Sequence, residues 1–146
     1  MSTEGLITVA SNLEPKETMD RLSAAVSAHG MAILARIDHA AAAGFDLRPT
    51  EVLIFGNPRA GAPLMQAAKT MGIDLPLKAL VWQDERGRTW LSYNDPQWLA
   101  RRHGATVGTD RILSAMADVL AALASFATGP QKKERRPLEP GFRIGS

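Results

Sequence analysis

The chain contains no cysteine. That removes disulfides, thiolate nucleophiles, iron–sulfur clusters and cysteine zinc sites at once. Aromatic residues are scarce, with one tyrosine, three tryptophans and four phenylalanines, so stacking on nucleic-acid bases has little to build on. Long apolar runs are missing as well. The longest, Ile112 to Ala127, is broken by Ser114, Asp118 and Ser125, short of the roughly 18–20 apolar residues that a membrane span requires. Met1-Ser2-Thr3-Glu4 places no basic region ahead of a hydrophobic one. No secretory signal is therefore expected, and a cytoplasmic location is.

An excess of one charge is also absent from the body of the chain. The net charge of +2 belongs to the end of the sequence. Residues 129–146 hold Lys132, Lys133, Arg135, Arg136 and Arg143 against Glu134 and Glu139, which leaves residues 1–128 slightly acidic. Nucleic-acid binding is therefore unexpected for the body, and would rest on the tail alone. The tail is rich in proline, glycine and charge, and is read as a disordered basic extension of a single domain, 1–128. At 146 residues the chain is long enough to bury a sizeable core.

What is present is a regular succession of patterns. Leu6, Ile7 and Val9 mark a first strand. Pro15 suits the first position of a helix whose apolar face is Met19, Leu22 and Val26, ending at Gly30. Met31 to Ile37 reads as a second strand, followed by an alanine-rich turn, and Val52 to Phe55 as a third. Pro58 opens a second long helix that Gly72 follows. Leu77–Gln83 and Arg88–Tyr93 form a hairpin around Asp84-Glu85-Arg86-Gly87. Pro96 to His103 is a short helix, and Thr109 caps a last helix running from Asp110 to Thr128. The order β-α-β-β-α-β-β-α predicts an α+β two-layer sandwich: a mostly antiparallel five-stranded sheet with helices on one face. The third and fourth strands are apolar on both faces, so the second face needs a cover; a homodimer is the simplest one, and a ligand cavity or the short irregular segments are the alternatives.

Several of these segments together resemble the family of domain of unknown function 302. They are Ile37-Asp38-His39, the run from Leu47 through Arg48-Pro49-Thr50-Glu51 to Phe55-Gly56-Asn57-Pro58, Leu75-Pro76-Leu77-Lys78, Val81-Trp82 and Tyr93-Asn94-Asp95-Pro96. The densest match covers about residues 37–96, and the element order extends it over roughly 6–127. The resemblance implies a compact two-layer α+β fold that is dimeric. It implies no activity, since none is established for the family.

Five polar positions stand out for chemistry. Asp38-His39 ends a strand, where a carboxylate can orient an imidazole as base or ligand; equally, Asp38 can cap the turn that follows. Gly56-Asn57-Pro58-Arg59-Ala60-Gly61 leads a strand into a helix, where unpaired N–H groups favour anions; the structural alternative is that Asn57 caps the helix. It lacks both P-loop and dinucleotide-binding glycine patterns. Lys78 lies in an apolar strand, sharing a face with Leu80 and Trp82. There a lysine can be a base, a nucleophile or an anion anchor, or an edge-strand residue whose stem covers the sheet. Tyr93 lies near a strand end. His103, next to Arg101 and Arg102, could approach His39 and Asp38, but no metal-ligand spacing occurs and no metal site is expected. The leading reading is a dimeric protein binding a small anionic ligand around Lys78, Asn57, Asp38, His39 and Tyr93. An enzyme using His39 or Lys78 as base or nucleophile is the first alternative. A protein–protein interaction module without a small-molecule site is the second. The sequence does not identify a cofactor.

Overall fold

Alternating apolar positions and prolines at helix starts fix the elements. A computed structural model describes residues 2–130. The chain order is β1 Leu6–Ser11, α1 Pro15–Ala28, β2 Ala32–Asp38, α2 His39–Ala43, β3 Thr50–Gly56, α3 Pro58–Ala67, a 3₁₀ turn Lys69–Ile73, β4 Leu77–Gln83, β5 Thr89–Asn94, α4 Pro96–His103 and α5 Asp110–Ala127. Proline occupies the first turn of α1, α3 and α4, where its missing N–H costs nothing. The expected disordered tail lies outside the described residues.

The five strands form one sheet in the order β1-β5-β4-β3-β2. Every neighbouring pair is antiparallel. The chain therefore begins at one edge and crosses to the other through α1. Strand alternation then divides the side chains. Leu53 opposes Ala79, Phe55 opposes Leu77, and Val81 opposes Leu91. All six are buried beneath Met19, Leu22 and Val26 of α1 and Leu120, Leu123 and Ala127 of α5. A second, smaller cluster joins Leu64, Met71, Leu99, Ala100 and Leu113, so α3, the 3₁₀ turn, α4 and α5 share a core of their own.

The other face carries Val52 against Leu80, Ile54 against Lys78 and Trp82 against Trp90. It is apolar, as expected, and these side chains are only partly buried. Its aromatic residues are nevertheless satisfied. The two indoles stack at 6.2 Å between centroids. Trp82 donates to Ser92 Oγ at 2.9 Å and Trp90 to Asp84 Oδ2 at 2.9 Å. Asp84 also accepts from the backbone N–H groups of Arg86 and Arg88. The Trp90 bond and these backbone bonds hold its carboxyl down at about 2, which ties the expected hairpin turn to the strand it begins.

Two local expectations change. Thr109 precedes α5, but its hydroxyl makes no cap; it donates back to Ala105 O at 2.7 Å. Lys78 lies on β4, a central strand rather than an edge.

Candidate functional site

At the C-terminal end of β3, Gly56 stops the strand and Asn57 caps α3, accepting from Arg59 N at 3.0 Å. The N–H groups of Ala60 and Gly61 donate to Asn57 O at 2.9 and 3.3 Å. Pro58 has none to offer. The first turn of α3 is thus satisfied internally, which corrects the expectation of unpaired N–H groups awaiting an anion. What this turn still contributes is the Arg59 guanidinium. It is exposed and has no carboxylate partner among the described residues.

This turn forms one wall of a cleft of about 590 Å³ on the helix side of the sheet. Leu75, Pro76 and Leu77 form its floor. Met116 and Val119 of α5, Met65 of α3 and Met31 after α1 close its sides. Gly61 permits the close approach of α3, because a Cβ there would lie 3.3 Å from Leu75 Cδ1. Among the described residues, the polar side chains at the cleft are His29, Asn57 and Arg59, and no acidic residue lines it. His29 Nδ1 donates to Ala25 O at 2.9 Å, which leaves Nε2 for another partner.

The five positions singled out in the sequence do not meet. Asn57 is on this cleft. Asp38 lines a different one of about 500 Å³, with Glu14, Lys16, Arg36 and Glu51. Asp38 opposes Glu51 on β3 while Gly56 precedes Asn57, so the two sites are about 17 Å apart along the strand. There Asp38 caps α2 through Ala41 N at 2.9 Å, and His39 is exposed. The basic groups beside it are spent on acidic neighbours. Arg36 Nε meets Glu51 Oε2 at 2.5 Å, and Lys16 and then Arg36 bind Asp20, holding its carboxyl below the usual range. Lys78 points to the open face and donates to Pro76 O at 3.3 Å. Tyr93 is 7% exposed in the core, its phenol pushed up by burial and then by Asp95. Among the described residues, neither His39 nor Lys78 has the carboxylate partner that an activated base would use. No group of three metal-ligating side chains occurs there.

One polar constellation escaped the sequence. His103 does not approach His39. Its Nε2 lies 2.5 Å from Asp74 Oδ2 and its Nδ1 2.8 Å from Thr70 Oγ1. Arg102 donates to the same Asp74 oxygen at 2.7 Å. Hydroxyl, imidazole and carboxylate stand in series, but none of the three residues lines either cleft. The set joins the 3₁₀ turn to the end of α4. Arg101-Arg102-His103 was visible as a basic helix end, but a partner 29 residues upstream leaves no local signal.

Comparisons with known proteins give a family and a solved fold. Residues 7–123 match the family model described as domain of unknown function DUF302. The crystal structure of an uncharacterized conserved DUF302 protein from Bacillus stearothermophilus superposes with a TM-score of 0.71. The two are 23% identical, over 84% of this chain and 97% of that one, and share the fold. Among curated proteins, the chain is 43% identical over 128 residues to "Fluoride-specific ion channel FluC 1" of Brucella suis biovar 1 (strain 1330), covering 86% of this chain and 50% of that protein. The same identity holds for "Fluoride-specific ion channel FluC 2" of Brucella melitensis biotype 1, with 47% of that protein covered. The chain thus spans about half the length of the curated relatives it matches. Among the described residues, no helix is long and apolar enough to cross a membrane.

Proposed function

The chain belongs to the DUF302 family, and from that premise we propose that it is a binding module for a small, largely apolar anion held in the cleft beside α3. The observation that carries this reading is the composition of the cleft among the described residues: about 590 Å³, an apolar floor, no acidic lining residue, and Arg59 in its lining without a carboxylate partner. Sites of this size usually combine an apolar body with a few polar groups that orient the ligand. Such a ligand would lay its apolar part on Leu75 and Met116 and its charge toward Arg59.

The test uses 8-anilinonaphthalene-1-sulfonate, an apolar anion. Saturable binding at one site per chain is expected. Arg59→Glu weakens it about tenfold by replacing attraction with repulsion. Ala115→Trp, which fills the cleft from α5, removes it while thermal melting stays put. Binding that survives Ala115→Trp unchanged would place the ligand elsewhere and defeat the proposal.

The curated relatives support a second, coarser reading. They are named as fluoride channels, yet this chain matches only about half of each, and its described helices include no membrane-spanning candidate. We infer that the chain corresponds to a companion module of such channels and does not itself conduct. Vesicles carrying this chain alone should show no fluoride-selective efflux, whereas vesicles carrying a full-length relative should. Efflux through this chain alone would reverse the inference.

A further inference from the structure

We propose that the ligand of the cleft beside α3 is a medium-chain aliphatic monocarboxylate, its carboxylate at Arg59 and its chain laid along α5. This rests on the ligand reading above and gives that ligand a chemical class.

Strand register places the polar end of the cleft. Ala32 pairs with Gly56. His29 and Met31 come just before that pair on the way into β2, and Asn57 and Arg59 just after it on the way out of β3, so these lining groups gather at one end. From there α3 leads away, and Met65 lies six residues beyond Arg59, about 9 Å along the helix. The packing agrees with this direction. Met31 and Val119 lie against the main core, Met65 and Ile112 against the second one, and Leu75 against both. The cleft therefore follows the seam between the two cores and is longer than a compact ligand needs.

Its apolar wall has a length. Ile112, Met116 and Val119 recur at helical spacing on α5 and are only partly buried. They form a rail about 10 Å long. Carbon–carbon bonds of about 1.5 Å in a tetrahedral zigzag advance about 1.25 Å each, so an extended chain of about nine carbons covers the rail.

The lining also selects the two ends of the ligand. Among the described residues, Arg59 is the only lysine or arginine in it. One guanidinium matches one carboxylate, and its planar fork suits that group. A second anionic group would find nothing there to offset it. His29 Nδ1 donates to Ala25 O at 2.9 Å, so Nε2 of the neutral ring accepts and Arg59 supplies the charge. Among the same residues no phenylalanine, tyrosine or tryptophan lines the cleft, and a flat ring would have no stacking partner. Met31, Met65 and Met116 line it instead, unbranched side chains that adapt to a flexible chain.

The test is calorimetric titration of the full chain with straight-chain alkanoates from hexanoate to tetradecanoate, kept below micelle formation. One site is expected, with affinity rising about fourfold per methylene up to about decanoate and levelling beyond it. Decanedioate would bury its second carboxylate unpaired and should bind about a hundredfold more weakly than decanoate. Arg59→Glu should weaken decanoate about tenfold and leave decanol unchanged, a split that a structural loss would not produce. Ile112→Trp should level the series at a shorter chain and leave hexanoate unchanged. Competition with 8-anilinonaphthalene-1-sulfonate separates this assignment from the reading beneath it. Dye that Ala115→Trp excludes but decanoate does not displace would overturn the aliphatic assignment and leave the ligand reading standing. Dye binding that Ala115→Trp leaves untouched would overturn both. An affinity flat across chain lengths, or decanedioate bound as tightly as decanoate, would overturn the assignment alone.

Discussion

Phe55→Ala lowers the unfolding free energy by about 3–5 kcal/mol. Phe55 is fully buried, the largest side chain of its kind in the core, and opposes Leu77 on the helix face of a strand that is hydrogen-bonded on both sides. Truncation removes apolar surface and leaves a cavity among Leu53, Val26 and their neighbours. Those residues are held by the sheet and by two packed helices, so they cannot collapse into it. Domains of this size are stable by about 5–15 kcal/mol, and the change therefore consumes a large share. Phe126 provides the contrast. It is 49% exposed on α5, stacked under Arg21 at 4.1 Å. Its replacement by alanine should cost about 1 kcal/mol or less. Urea unfolding of both variants checks the pair. A Phe55→Ala loss no larger than that of Phe126→Ala would mean that the main core does not lie between this sheet face and α1.

The same contrast shows why some of the molecule can be read from its sequence. Phe55 and Leu53 alternate with Val52 and Ile54, Pro15, Pro58 and Pro96 open helices, and Asp84 to Gly87 joins two adjacent strands. Each signal is local, so the element order and the antiparallel α+β class follow from the residues themselves. The strand order does not. β1 pairs with β5 about 80 residues away, which makes β1 an edge, and β4 is enclosed by β3 and β5, which makes Lys78 central. The 3₁₀ turn Lys69–Ile73 is too short to show periodicity. Of the candidate site, Asn57 was legible as a cap, but Met31, Leu75 and Met116 meet beside it only when three separate elements pack. Asp38, Lys78 and Tyr93 illustrate the converse. Each is polar and close to a strand end, yet the sheet sends one to each end or face, because neighbours in sequence alternate across a strand.

Asp74→Asn loosens the junction between the 3₁₀ turn and α4 and costs about 2–3 kcal/mol near neutral pH. His103 is 8% exposed at its side chain and Asp74 16%, so little water is available to replace the lost carboxylate. Arg102 is half exposed and regains hydration, which keeps the cost below that of a fully buried pair. The wild-type contribution has a defined sign with pH. Burial pushes the Asp74 carboxyl up, but the His103 hydrogen bond and the Arg102 charge more than offset it, and the group titrates below its ordinary value. A carboxyl depressed in the folded state stabilises fully above its unfolded pKa, and that stabilisation disappears as pH falls through the folded one. The stability gap between wild type and Asp74→Asn should therefore be widest near neutrality and narrow as acid is added below the usual carboxylate range. His103→Gln should lose a comparable amount at neutral pH, since it leaves Asp74 half-buried with only Arg102. Urea midpoints for the three proteins across this range decide the matter. A gap that stays constant into acid would show that Asp74 acts there through packing alone, with no charge held in the folded state.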